Sequence, residues 1–367
     1  MHGYVWYSFG SDTTGLKLAE ALGFKSGKKI PDLHDLDVVL GWGCKPGEKY
    51  NPELFKQRVQ SGALRILNTP EAVDANRDKL ASLRLMQEKK VSTPGLVSLD
   101  KKDPAVCLMS IDLGLKNGVL AFPIVGMSST HKGEPFFCHT REDVAAAVAA
   151  IVKEKGTFYF RSLCAGTEYR IHVLRDTAIL AQIKAPAKNP LDATVKSMLE
   201  DLKRVLEREE KIGFPIPDPR AQEWIVRMFA PEMLRGPSQL LRSINRGWSL
   251  EDCPLSTVPA NVVAEAIKAL DASGLDLGTV SLVLDEKVAR VTNITTAPAL
   301  SDKHLSAYVV AIKDFAAAVK KPAKTKEATP KAEADTAPQE LIARLTTAIR
   351  GLSRKKAEAV LSVLDTE

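Results

Sequence analysis

Cysteine is scarce and scattered in this 367-residue chain. Cys44, Cys107, Cys138, Cys164 and Cys253 stand far apart, with neither a CxxC pair nor a Cys/His ligand spacing among them. That argues against a structural zinc site. An odd number of thiols without a secretion leader predicts reduced cysteines in a cytoplasm. The leader is not expected because MHGYVWYSFGSD has no basic region followed by an apolar core. Long apolar runs are also lacking, so no membrane span is expected. Charge of one sign is in short supply: 51 basic residues face 45 acidic ones, and the net charge is +6. No basic stripe interleaved with aromatics occurs, which argues against nucleic acid as a partner. Complete nucleotide fingerprints are missing too. Gly41-Trp42-Gly43 is only part of a dinucleotide motif. Gly10 to Lys17 has the glycine spacing of a phosphate loop, but its lysine comes one place late and no Ser or Thr follows.

The most informative stretch is Gly274 to Leu300. Val280, Leu282 and Leu284 alternate with Ser281, Val283 and Asp285, as in a half-buried strand. A polar turn follows at Asp285-Glu286-Lys287, and Val291, Asn293 and Thr295 alternate on a second strand. Opposed residues of a hairpin share a face. A turn with an odd number of residues therefore places Ser281, Asn293 and Thr295 together, and a two-residue turn separates them.

The remainder reads as alternating elements. Strands are predicted at Tyr4 to Tyr7, Asp37 to Leu40 and Leu64 to Asn68. A first helix runs from Asp12 to Gly23 with Leu18, Ala21 and Leu22 on one face. A helical stretch begins at Asn68-Thr69-Pro70 and continues through Asp74 to Lys89. Phe122 to Val125 is a strand, followed by the polar loop Ser128 to Gly133. Glu142 to Val152, Leu199 to Lys211, Val258 to Ser273 and Ser301 to Lys320 read as helices. Further strands are expected at Thr157 to Phe160, Glu168 to Val173, Ala178 to Lys184, Trp224 to Met228 and Gln239 to Ser243. Residues 321–338 form a low-complexity linker that cannot bury a core. Residues 339–367 carry a helical pair, too small to bury much apolar surface by itself. A protein partner or self-association through it is the expectation.

Several motifs in this order carry a resemblance. They are Gly41-Trp42-Gly43, Asn76-Arg77-Asp78-Lys79-Leu80, Gly166-Thr167-Glu168-Tyr169-Arg170, Ile183-Lys184, Leu241 to Trp248, Gly274-Leu275-Asp276 and Ala297-Pro298. The chain resembles the ATP-grasp superfamily over residues 5 to 320, most closely its phage-encoded carboxylate–amine ligase-like branch. The resemblance implies an α/β and α+β fold: a small N-terminal α/β domain (1–70), then a two-lobed ATP-grasp region (71–155 and 156–320). It implies ATP between the lobes, Mg²⁺, and ligation through an acyl phosphate, in a host cytoplasm if the chain is viral. Lys79, Lys184, Arg170 and Arg242 match the family's phosphate or substrate contacts, and Glu168 is expected to pair with a nearby base. Glu168 and Arg170 share a strand face, so an ion pair between those two is one reading.

The chain also departs from the family pattern. Its carboxylates on the hairpin are matched by Ser281, Asn293 and Thr295. Its first phosphate cation is matched by Met127, for which Lys132 in the polar loop is a candidate replacement. An acid near the nucleoside is matched by Arg161. Magnesium requires hard oxygen ligands, with carboxylates supplying the charge. Two readings therefore stand: a degenerate binding or scaffolding relative, and an active ATP-dependent ligase. Asp276 reads more simply as a turn residue than as a ligand.

Overall fold

The computed structural model describes residues 2–7, 13–29, 33–45, 51–98, 119–124, 136–153, 157–196, 198–199, 202, 219, 222–223, 226–227 and 247–318. Met1–Ala318 forms one compact unit and Val319–Glu367 a second. The expected linker and helical pair lie outside the described residues, as do the polar loop with Lys132, the position of Met127, and Arg242.

The chain begins with β1 (Gly3–Tyr7) and α1 (Thr13–Leu22). Leu18 and Leu22, one turn apart, point inward with Gly15 and Ala19. Ala21, expected on that face, is exposed because it lies one residue off this stripe. Gly23, at φ +72°, ends the helix. Next come β2 (Lys25–Gly27), β3 (Val38–Trp42), α2 (Pro52–Gln60) and β4 (Arg65–Leu67). The strands form a parallel sheet in the order β2-β1-β3-β4. Every residue of β3 is buried, as its unbroken apolar run requires of a central strand covered on both faces.

The helical stretch after Asn68 divides into α3 (Pro70–Ala75) and α4 (Lys79–Glu88). The break lies at Asp78, whose carboxylate accepts from the Ala81 N–H and starts a new helix. A four-stranded antiparallel sheet follows: β5 (Leu96–Ser98), β6 (Val119–Ile124), β7 (Phe136–Cys138) and β8 (Thr157–Ser162), ordered β5-β8-β6-β7. Between β7 and β8 lies α5 (Arg141–Lys153).

A five-stranded antiparallel sheet completes the unit. It contains β9 (Thr167–Leu174), β10 (Thr177–Pro186), β11 (Trp248–Cys253), β12 (Leu277–Asp285) and β13 (Val288–Thr295). Their order is β11-β10-β9-β12-β13. Between β11 and β12 runs α6 (Ala260–Ala272), and α7 (Asp302–Ala318) follows β13. The described residues of the expected strand Trp224 to Met228 are helical at Val226 and Arg227. That stretch alternates too weakly to distinguish a strand from a short amphipathic turn. The strands β2, β5, β7 and β11 were not expected, and their shortness or polarity explains why.

The two faces of the large sheet differ in chemistry. Ile171, Val280, Leu282, Val291 and Ile294 belong to a buried core that includes Val262, Ala266, Ala269 and Leu270 of α6. Each buried Val, Leu or Ile of this core contributes about 1.5–3 kcal/mol on leaving water. The alternate residues of the same strands form the opposite face, apolar at one end where Leu174 and Leu277 pack with Tyr308 and Ile312 of α7 and polar beyond it.

Candidate functional site

The hairpin turn contains two residues: Asp285 pairs with Val288, and Glu286 and Lys287 form the turn. By that count Ser281 and Asn293 fall on opposite faces. They nevertheless pair directly, as do Thr279 and Thr295. The register shifts after Ser281, where Leu282 pairs with Val291 and leaves Thr292 as an extra residue. This is a β-bulge, and one inserted residue reverses the face of everything beyond it. The Thr292 hydroxyl donates to the Ser281 carbonyl at 3.2 Å, holding the bulge. Ser281, Asn293 and Thr295 thus share a face, with the odd residue located within the strand and not in the turn.

Register carries that face across the whole sheet. One row runs Asp252, Gln182, Arg170, Ser281, Asn293 from β11 to β13. A neighbouring row places Lys184 opposite Glu168, and these two form an ion pair at 2.9 Å with both side chains largely buried. Glu168 therefore pairs across strands with Lys184, and an ion pair with Arg170 along its own strand is not formed. A facing residue brings charged ends together more closely than one two places along the strand. Arg170 is left with a buried Nε that has no hydrogen-bond partner among the described residues. Burial lowers its pKa, partly opposed by the nearby Glu168. Asn293 presents a buried Oδ1, also unpartnered among the described residues. Its Nδ2 makes a long 3.4 Å contact to the Thr295 hydroxyl.

Lys79, an expected phosphate contact, and Arg161, the residue that stands where the family has an acid, serve the edge of the sheet. Lys79, at the start of α4, donates to the Ile294 carbonyl at 2.7 Å. Burial pushes its pKa down to about 8. Arg161 of β8 donates to the Thr292 carbonyl at 3.0 Å. Next along the strand the Val291 N–H donates to the Ser92 carbonyl at 2.8 Å. These contacts cover the free edge of β13, which would otherwise expose unpaired backbone groups. Asp276 is a structural residue: its carboxylate accepts from the Asn68 N–H at 3.1 Å and from Arg175 at 3.1 Å.

A further row contains His172, opposite Thr279 and Leu180. His172 Nδ1 lies 2.9 Å from the Tyr308 hydroxyl of α7, and its Nε2 lies 3.2 Å from Gln182 Oε1. Gln182 Nε2 donates to Asp252 Oδ1 at 3.3 Å. The Asp252 carboxylate also meets Lys303 at 2.9 Å and His304 at 2.6 Å. A carboxylate only accepts, so it orients the Gln182 amide. That amide oxygen then calls for N–H at His172 Nε2, and Nδ1 accepts from Tyr308. Burial pushes the His172 pKa down to about 4, keeping the ring neutral. Hydrogen bonds from Lys303 and His304 hold Asp252 at about 2. Alternation along β9 and β10 could have placed His172 and Gln182 on the site face. Asp252 could not be found that way, because its strand was not predicted.

The donor set does not fit the divalent cation that the resemblance implies. The oxygens on the hairpin face are neutral. Glu168 is taken by Lys184, and Asp252 by Lys303 and His304. Asp285 shares the strand face of Ser281 but lies four residues away, about 13 Å along the strand. Among the described residues no group of three or more His, Cys, Asp or Glu side chains is arranged to hold a metal ion. Nor is any described helix long and apolar enough to cross a membrane.

No family model and no curated protein matches the chain. Solved structures do. D-alanine–D-alanine ligase from Bacillus anthracis matches at 11% identity and TM-score 0.52, covering 86% of this chain and 93% of that one. The same enzyme complexed with ATP gives a TM-score of 0.50 at 11% identity, over 84% and 91% of the two chains. The ATP-grasp ligase PsnB, complexed with a minimal precursor, Mg and ADP, matches at 12% identity and TM-score 0.52, over 87% of this chain and 97% of that one. At these identities the likeness concerns architecture. With a parallel N-terminal sheet and the antiparallel sheets that follow it, the chain has an ATP-grasp-like fold.

Proposed function

We propose that this chain is an ATP-grasp-fold binding or scaffolding module, a degenerate relative of carboxylate–amine ligases. One observation carries the reading: the bulged hairpin aligns Ser281, Asn293 and Thr295 on the site face, and the nearest carboxylates are already paired. A triphosphate reacting to an acyl phosphate develops charge that needs metal ions as well as basic side chains. Here the basic side chains remain and the anionic cradle for a metal does not. Lys79 and Arg161, moreover, donate to backbone carbonyls of the hairpin.

An active ligase is the second reading, favoured by Lys184 and Arg170 on adjacent strands of one face. The experiment that separates the two is an assay of ADP formation by the full chain. It supplies ATP, Mg²⁺, and mixed pools of carboxylates and amines. The binding-module reading expects no turnover above a protein-free control. Sustained ADP formation that depends on Mg²⁺ and disappears in Lys184→Ala would establish the ligase instead.

A further inference from the structure

Helix α7 buries Tyr308, Ile312 and Ala316, which recur about one turn apart, and sets Ala307 and Ala311 in a second row beside them. Having no atoms beyond Cβ, these alanines cannot fill the space between the helix and the turn from β9 to β10. A cavity of about 620 Å³ results, lined by Leu174, Ile179, Phe315 and the two alanines. Its size is that of a small-molecule site, and its lining is mostly apolar, as such sites are. None of its lining residues belongs to the rows of the candidate site. Val310 also lines it and is left 60% exposed, so apolar surface there still faces water.

The charges at this cavity are unevenly matched. Arg175 and Asp176 form the two-residue turn, with Arg175 at φ +55°. Arg175 is fully engaged: its N–H donates to the Asp276 carbonyl at 2.6 Å and its Nε to the Asp276 carboxylate at 3.1 Å. Its guanidinium lies 4.5 Å from the centre of the Phe315 ring. Arg175 is thus a fixed wall whose charge Asp276 offsets. Asp176 and Asp314, which also line the cavity, meet no cation among the described residues. Asp176 only accepts from the neighbouring Thr177 hydroxyl at 3.1 Å.

We propose that this cavity binds a small organic cation: an apolar aliphatic or aromatic body that ends in a protonated amine. The body covers Ala307, Ala311 and Val310, and the ammonium meets the two carboxylates that the protein leaves without a counterion. An anionic end group is repelled by the same pair, and a neutral one gains no charge attraction from it. The site is separate from the sheet face, so the proposal holds or fails whether or not the chain is a ligase.

The test is calorimetric titration of the full chain, near neutral pH, with three probes that share one body: phenylbutylamine, phenylbutanol and phenylbutyrate. The amine should bind at least about threefold tighter than the alcohol, because two exposed carboxylates each add a modest attraction. The acid should bind most weakly, and added salt should shrink the differences. Replacing both Asp176→Asn and Asp314→Asn, exposed changes that leave the fold intact, should abolish the amine's advantage and keep the alcohol's affinity. Ala311→Phe should fill the cavity and weaken all three probes about tenfold or more. The proposal is overturned if no probe binds at millimolar concentration, or if the amine binds no tighter than the alcohol. It is also overturned if the doubly substituted chain keeps the amine's advantage, or if a folded Ala311→Phe keeps wild-type affinity. Self-association that Val310→Asp abolishes would give the cavity to a second copy of this chain and would likewise overturn it.

Discussion

His172 shows how burial and a hydrogen-bond chain set the chemistry of one group. Its ring is enclosed among Tyr308, Gln182 and His304, and its pKa falls from 6.5 to about 4. A base with a lowered folded pKa accepts its proton first in the unfolded chain. Between pH 6.5 and about 4 the unfolded state binds more protons, so folding stability falls as pH falls through that window. Asp252 adds to the loss at lower pH, as its stabilising interactions fade between 3.8 and about 2. Chemical denaturation of wild type and His172→Asn at pH 7 and pH 4.5 should show a smaller acid loss in the variant. Equal losses would mean that His172 titrates as an ordinary exposed histidine. None of this could be read from sequence, because a histidine on an alternating strand looks the same whether its face meets water or a helix.

At the scale of elements, the hairpin is the informative case. Its strands, its polar turn and the alternating positions of Ser281, Asn293 and Thr295 were legible from period-2 alternation, while their match to a ligand position came from the resemblance. Their shared face was legible only as a condition, an odd turn, that the structure does not meet. The turn has two residues, and the bulge at Thr292 restores the phase. Bulges leave little trace in a single sequence, because one extra polar residue within a strand resembles ordinary alternation noise. Deleting Thr292 should therefore do more than remove one side chain. It would straighten the ladder and turn Asn293 and Thr295 toward the packed face, placing Ile294 on the polar side. We expect a loss of stability of at least about 2–3 kcal/mol, the range for misplacing buried groups. Thr292→Ser, which keeps the inserted residue and its hydroxyl, should lose well under half of that. Similar midpoints in urea for the deletion and the wild type would contradict the bulge.

For the whole molecule, two asparagines tie the parallel sheet and the helices after it to the end of α6 and the start of β12. Asn68 follows β4 at φ +61°, a conformation that asparagine tolerates better than most residues. Its Oδ1 accepts from the Asp276 and Leu277 N–H groups at 2.9 Å each, and its Nδ2 donates to the Leu277 carbonyl at 2.7 Å and the Gly41 carbonyl at 3.3 Å. Asn76 Nδ2 donates to the Ser273 carbonyl at 3.0 Å. Gly41 is required for a related reason: a Cβ there would strike the Asn68 backbone. Glycines that close a strand let a backbone approach a partner closely, although in sequence Gly41-Trp42-Gly43 reads only as part of a dinucleotide motif. Which partner approaches depends on tertiary placement, and it is the chain itself. Asn68→Ala strands several buried backbone groups, each worth roughly 1–3 kcal/mol, and should be among the most destabilising substitutions in the unit. A folded Asn68→Ala protein within about 1 kcal/mol of wild type would show that the clasp is incidental.

The fold was expected from the resemblance that the motifs carry, and the hairpin from alternation with one unforeseen bulge. What is distinctive is chemical: among the described residues the candidate face carries Arg170 and Lys184, and the carboxylates on its rows beside Ser281, Glu168 and Asp252, are already paired. Thermal unfolding of the full chain with ATP tests this most directly, once in EDTA and once in excess Mg²⁺. A ligand that binds only the native state raises the midpoint, so any metal-dependent site would appear as an additional rise. The account predicts that Mg²⁺ adds nothing to the midpoint reached with ATP in EDTA. A midpoint that climbs by several degrees only when ATP and Mg²⁺ are present together would contradict it.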